Sequence, residues 1–163
     1  LMYIGAKNNV FNSHVEFFSK MKKGTLYGLT PLVNETACGP DFYEEAKKSG
    51  HYIELDPAMS MEEAKEYANK MDVLYTDTWV DMEFFNNPAY QKQKEETLAK
   101  MMPYQLNGDF TKGSKAIVFH DMPMHVGFEI SQDVVDKNLD HILDEAENRR
   151  HAEKAVMYTL LNS

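Results

Sequence analysis

The 163-residue chain has one cysteine, Cys38, so no internal disulfide can form, and no paired Cys/His spacing offers a structural zinc site. A reduced, cytoplasmic protein is the corresponding expectation. Long apolar runs are missing as well: nothing approaches the ~20 residues a membrane helix needs, and no basic, apolar, small-residue series resembles a secretion signal. Positive charge is scarce. With 17 Lys and Arg against 26 Asp and Glu, the net charge of −9 repels phosphate backbones and anionic lipid heads alike, so neither nucleic acid nor membrane is an expected partner. Glycine and proline are also few, at 8 and 6, while 43% of residues are hydrophobic and 12% aromatic, which is enough for one packed domain and too much for disorder. The first residues, Leu1-Met2-Tyr3-Ile4-Gly5, read as the middle of a buried strand with no leader before it, as in a piece of a longer polypeptide.

Short apolar runs alternate with longer amphipathic stretches, the pattern of an α/β fold with a mostly parallel sheet covered by helices on both faces. The apolar runs predict strands at 2–4, 25–29, 51–55, 73–76, 116–119 and 141–143. Helical spacing predicts helices at 9–22, 41–49, 60–70, 88–101 and 144–161. The third helix opens with Ser60 and, three positions on, Glu63, a capping-box arrangement. Gly24 and Gly50 follow lysine-rich helix ends and fit the left-handed position that closes a helix. After Thr76 the rhythm breaks into an aromatic, turn-rich excursion, and open α/β sheets place ligand loops at such strand ends.

Four clusters carry possible chemistry. Gly5-Ala6-Lys7-Asn8-Asn9 leads from strand to helix, where amides and carboxamides meet a carboxylate or phosphate, although an Asn-capped turn explains it equally. The segment from Thr76 to Met82 offers Asp77 and Asp81 to an ammonium group, or to solvent. His120-Asp121-Met122-Pro123 emerges from an apolar run, and its histidine is either structural or functional. Acids Asp144, Glu145 and Glu147 suit the start of the last helix, with Arg149 and Arg150 placed for an anionic ligand. Trp79, Phe84 and Phe85 read as loop-anchoring core, the eleven methionines as adaptable packing, Cys38 as an inert thiol, and Lys92 to Glu96 as a solvated helix face.

In order, Gly-x-x-Asn-Asn (Gly5, Asn8, Asn9), Thr-Asp-Thr-Trp-Val-x-Met (Thr76 to Met82), Pro-Tyr-Gln-Leu (Pro103 to Leu106), His-x-x-Pro-x-His (His120 to His125) and Glu-Ala-Glu-Asn-Arg (Glu145 to Arg149) resemble the ornithine carbamoyltransferases. The resemblance covers the second, amino-acid-binding half of that family and essentially all of residues 1–163. It implies a Rossmann-like three-layer sandwich, a homotrimeric parent enzyme, and transfer of the carbamoyl group of carbamoyl phosphate to ornithine without cofactor or metal. It implies that Asn9, with Asn8 beside it, holds the acceptor's α-carboxylate together with the Met82 amide, and that Asp77 takes the α-amino group. His120, Asp121 and Met122 stand at the motif that orients the attacking amine and the carbamoyl nitrogen, and Arg149 at the arginine that reaches carbamoyl phosphate. The family's phosphate-gripping Ser-x-Arg-Thr motif, in its first half, has no match here, so the chain reads as the acceptor domain alone, inactive without its other half. The apolar side of the last helix is then expected to be exposed.

Two positions depart from the family pattern: Asp81 replaces a serine and Asp121 a cysteine. With Asp77 these acids would line one pocket and favour a more cationic acceptor, such as putrescine or lysine, close behind ornithine. The loop from Asp81 to Met101 is also longer and more aromatic than the family pattern. A noncatalytic relative that kept the fold is the alternative from another class. A transferase acting on aspartate is weaker, since a second substrate carboxylate would meet acids.

Overall fold

The computed structural model describes residues 1–162. Five strands form one all-parallel sheet: β1 (Met2–Lys7), β2 (Leu26–Val33), β3 (Tyr52–Glu54), β4 (Val73–Thr76) and β5 (Ile117–His120), in the order β3-β2-β1-β4-β5. The strand order reverses beside β1, which begins the chain yet lies at the centre of the sheet. Its sequence explains that position: Met2, Tyr3, Ile4 and Ala6 are all fully buried, as a strand covered on both faces requires.

Alternation along β1 also sorts the helices into two layers. Met2 and Ile4 join Leu29, Leu74 and Val118 in a core closed by Ala64 and Ala68 of α3 (Met61–Ala68) and by Val134, Val135 and Ile142 of α6 (Gln132–Leu161). Tyr3 points the other way, to Phe11 and Val15 of α1 (Asn9–Lys20), Tyr43 and Ala46 of α2 (Pro40–Lys47), and Tyr52 and Tyr75. The result is the three-layer α/β sandwich that the alternating pattern predicts. The excursion after β4 carries a one-turn α4 (Met82–Phe85) and α5 (Gln91–Met101). It returns through Leu106, whose amide donates to Glu129 O at 3.0 Å and whose carbonyl accepts from Ser131 N at 3.0 Å.

The capping box at α3 is formed: Glu63 N donates to Ser60 Oγ at 3.2 Å, and Ser60 N to Glu63 Oε2 at 2.9 Å. Gly24 and Gly50 have φ of +85° and +73°. Gly50 follows α2 closely, but α1 already ends at Lys20 with an extended Met21 as its cap, so Gly24 serves the turn into β2 rather than the helix end.

The expected strand at 141–143 is absent, because those residues lie inside α6, which starts at Gln132 rather than at 144. Val134, Val135 and Ile142, spaced by one and seven, form one buried helical stripe, whereas Leu139 and Leu143 stay exposed, so a three-residue apolar run was a helical coincidence. From Ala146 to Asn162 every residue of the chain is exposed, including Val156, Met157 and Tyr158. Among the described residues no helix is long and apolar enough to cross a membrane, and no group of three or more His, Cys, Asp or Glu is placed to hold a metal ion.

Candidate functional site

Strand order reverses between β1 and β4, and the carboxyl ends of those two strands open the crevice where such sheets bind ligands. Asn8 follows β1 and Asp77 follows β4; they are 2% and 5% exposed, and Asn8 Nδ2 donates to Asp77 Oδ2 at 2.7 Å. Asn8 also caps α1, its Oδ1 accepting from Phe11 N at 2.9 Å. Asp77 Oδ1 accepts from Thr78 N at 2.7 Å, and Thr76 Oγ1 donates to Ile4 O at 2.7 Å across the same two strands. The switch point is thus clasped by side chains whose hydrogen-bonding capacity is largely used within the protein.

Burial pushes the Asp77 carboxyl up to about 6, against the lowering influence of the Thr78 and Asn8 hydrogen bonds. Its folded-state value therefore lies above the unfolded one, and between about pH 4 and pH 6 the folded chain keeps a proton that the unfolded chain has released. Stability from this group is full below that window and falls as pH rises through it, by about 3 kcal/mol in total. Urea unfolding at a series of pH values is expected to show the decline in the parent relative to Asp77→Asn, in which the group cannot titrate.

His120 ends β5 and is 1% exposed. Its Nε2 lies 3.1 Å from Oε1 of Glu129, itself 1% exposed, and the same oxygen accepts the backbone N–H of His125. His120 Nδ1 has no partner among the described residues. The peptide bond between Met122 and Pro123 is cis. Glu145 of α6 reaches the same strand end from the helical layer: its carboxylate accepts from His120 N at 3.2 Å and from the Tyr75 hydroxyl. Burial raises the Glu145 carboxyl above the usual carboxylate range. His14, packed edge-on against Tyr75 at 4.3 Å, is held neutral, its imidazole lowered by burial to about 4.

Two cavities flank the clasp. One, of about 620 Å³, gathers Asn9, His14, Tyr75, Asp121, Glu145 and Arg149. The other, of about 210 Å³, is bounded by Glu35, Trp79, Asp81, Phe84, Tyr90 and Lys94. Asn9, expected at the acceptor's α-carboxylate, thus lines the same cavity as Asp121 and Arg149, expected at the carbamoyl end. The three acids do not converge: Asp77 is buried in the clasp, Asp81 faces the smaller cavity and Asp121 the larger. Arg149 sits not at a strand end but on the exposed face of α6, its Nε 3.0 Å from Glu153 Oε1. Met82 and Met122 are exposed and line neither cavity. Trp79, at 1% exposure, is core, as expected.

Sequence reasoning missed Glu129, Tyr75, His14, Glu35 and Lys94. Only Glu129 carried a signal, an acid between the apolar Phe128 and Ile130.

Residues 1–160 match the family described as Aspartate/ornithine carbamoyltransferase, Asp/Orn binding domain. The ornithine carbamoyltransferase of Chlorobaculum tepidum is 34% identical over 167 aligned positions, covering 99% of this chain and 45% of that protein. Among solved structures, the anabolic ornithine carbamoyltransferase of Campylobacter jejuni superposes with a TM-score of 0.78 at 25% identity, over 99% of this chain and 50% of the other. The Pyrococcus furiosus ornithine carbamoyltransferase gives a TM-score of 0.75 at 29% identity, over 96% and 47%. The chain spans about half the length of the curated relatives it matches.

Proposed function

The chain belongs to the aspartate/ornithine carbamoyltransferase family, and from that premise we propose that it is the acceptor-binding half of an enzyme that carbamoylates the side-chain amine of ornithine, giving citrulline and phosphate. Residues 1–163 form that domain, and the phosphate of carbamoyl phosphate is held mainly by the other half of the polypeptide. The parent is a cytoplasmic homotrimer on this reading, and the half described here is inactive by itself. The observation that carries the reading is the meeting of Asn9, Asp121 and Arg149 in one cavity at the carboxyl edge of the sheet, beside the Asn8–Asp77 clasp.

The reaction joins a neutral amine nitrogen to the carbamoyl carbon, breaks the bond from that carbon to the phosphate oxygen, and releases the amine proton. Positioning and stabilisation of the developing oxyanion supply most of the acceleration. Arg149 presents planar N–H donors to carbamoyl phosphate, its Nε–H once it leaves Glu153. Asp121 accepts an N–H of the attacking amine, and the Met122 carbonyl orients the carbamoyl nitrogen. His120 and Glu129, bonded to each other, hold that turn in place. Asn8, Asn9, Asp77, Asp81 and the Met82 amide surround the acceptor, although direct use of Asp77 requires it to exchange the Asn8 bond for the ligand.

A citrulline-type colorimetric assay of the full-length polypeptide, with carbamoyl phosphate and ornithine, lysine, putrescine or shorter diamines, tests the proposal. Turnover of ornithine is expected. Preference for a diamine would make Asp81 and Asp121 the determinants of a different acceptor, and silence across the panel would favour a noncatalytic relative. Asp121→Asn is expected to lower turnover at least about tenfold, the worth of one charge-assisted hydrogen bond, with little change in the KM of carbamoyl phosphate. Equal turnover of variant and parent would remove Asp121 from the mechanism.

A further inference from the structure

The excursion after β4 has little to hold it down. From Asp81 to Lys100 no residue is buried, and α5, 11 residues long, buries only its terminal Met101. A helix of that length is marginal by itself. Among the described residues, no side-chain hydrogen bond or ion pair ties residues 82–101 to the rest of the chain; those that the segment makes are internal. Its ring contacts with the body are both made by Phe85. This ring stacks on His125, in the turn after β5, with centroids 3.5 Å apart and planes at 12°, and it meets Phe128 edge-on at 5.4 Å. Lys94 Nζ of α5 donates to Phe85 O at 2.8 Å and lies 4.7 Å from the centroid of the same ring. One phenyl group therefore joins α4, α5 and the turn after β5.

That turn is the one that carries Asp121. The backbone N–H of His125 donates to Oε1 of Glu129, the atom that also lies 3.1 Å from His120 Nε2, and Asp121 follows His120 directly. A displacement of the His125 ring thus reaches the end of β5 through two contacts of one buried carboxylate. The charge of that ring matters as well. Burial disfavours a proton on His125, Glu129 favours it, and His120 and Lys94 disfavour it, so the imidazole is held below its ordinary value. Lys94 and part of the burial arrive with the excursion. When the excursion lifts away, the imidazole returns toward about 6.5, so docking is at full strength above that pH and weakens as pH falls below it.

We propose that Phe85 and His125 are positioning residues: their stack docks the excursion on the turn after β5 and, through Glu129 and His120, steadies Asp121. The docking stands independently of the carbamoyl-transfer reading, whereas its consequence for Asp121 rests on that reading. Neither ring touches the reacting atoms. The same contact makes the dock sensitive to acid, with the His125 imidazole as the sensor and Lys94, His120 and Glu129 as the charged or titratable groups that bias it.

The test uses the full-length polypeptide and hydrogen exchange, in which protection of the α5 amides reports docking and protection of β1, at the centre of the sheet, reports the fold. Phe85→Leu is expected to lower α5 protection about tenfold, the worth of two ring pairs, and His125→Ala about fivefold, with β1 protection unchanged in both. His125→Phe keeps a ring and removes the proton. It should restore α5 protection and hold it constant between about pH 5.5 and pH 7.5, a range over which the parent loses protection toward the acid end. With ornithine and carbamoyl phosphate, His125→Ala should lower kcat about fivefold without raising the KM for carbamoyl phosphate, and His125→Phe should recover it. Parental α5 protection in both Phe85→Leu and His125→Ala, or a fall in protection with kcat unmoved, overturns the proposal and leaves the transfer reading intact. If no amine is carbamoylated by the parent, yet protection falls in His125→Ala and returns in His125→Phe, the transfer reading fails and the dock stands. Should His125→Ala disturb β1 as well, the pH series of His125→Phe against the parent decides: two superimposable profiles overturn the proposal, and a flat profile beside a sloping parent supports it.

Discussion

Asn8→Ala is expected to lower the unfolding free energy by about 3 kcal/mol, although it deletes only a carboxamide. Two losses combine. Removing a side-chain cap from a helix costs about 1 kcal/mol, and Phe11 N, buried, then loses its acceptor. Removing the donor to Asp77 leaves a 5%-exposed carboxylate short of a hydrogen bond, which costs about 1–3 kcal/mol more. The two terms share a residue and are not strictly additive. Urea unfolding of the chain at pH 7 measures the sum, and repeating it at pH 4 separates the parts: with Asp77 protonated, the penalty should shrink toward that of the cap alone. A loss below 1 kcal/mol at both pH values would mean that the clasp is incidental to stability.

The second large effect is expected at Glu145. Its carboxylate bonds the Tyr75 hydroxyl on β4 and the His120 amide on β5, and Arg149 stands one helical turn further along α6. Glu145 therefore sets the register of the arginine-bearing helix against the edge of the sheet that carries Asp121. Glu145→Ala releases both bonds. Under the proposed carbamoyl-transfer function, the expected outcome is a loss of about 2 kcal/mol in stability and about 100-fold in turnover of the full-length polypeptide, since a displacement near 1 Å of a group facing the reaction has that scale of effect. Glu145→Gln keeps an acceptor for one of the two donors and should restore part of the turnover, an outcome that simple unfolding would not give. Steady-state kinetics at saturating carbamoyl phosphate, alongside urea unfolding of both variants, decides the matter.

Much of the fold is legible because parallel strands buried on both faces are short, apolar and separated by amphipathic stretches. All five strands and the capping box at Ser60 announce themselves in that way. The failure at 141–143 has a physical source: Ile142 reads as part of a strand only while its partners Val134 and Val135, about two helical turns earlier, are overlooked. At the site, the residue types at strand ends were visible and their pairings were not. Asn8 and Asp77 are 69 positions apart, and only the adjacency of β1 and β4 brings them together. Periodicity says nothing about which strands are neighbours. For the same reason the three acids seemed to converge, whereas each strand end opens onto different surroundings, and the Glu35 and Lys94 contributions to the small cavity carried no local signal.

The central place of β1 also shapes how the molecule comes into being. Its first partner, β2, is made soon after it, but the opposite edge waits for β4, as the separation of 72 positions between Ile4 and Thr76 shows. At roughly 5–20 residues per second of synthesis, that wait is on the order of 4–14 seconds, during which a strongly apolar strand has one unpaired side. The nascent chain must therefore be shielded or fold late. Closure of the sheet's centre and birth of the crevice between its strand ends are a single event: until β4 docks, Asn8 has no Asp77 to hold.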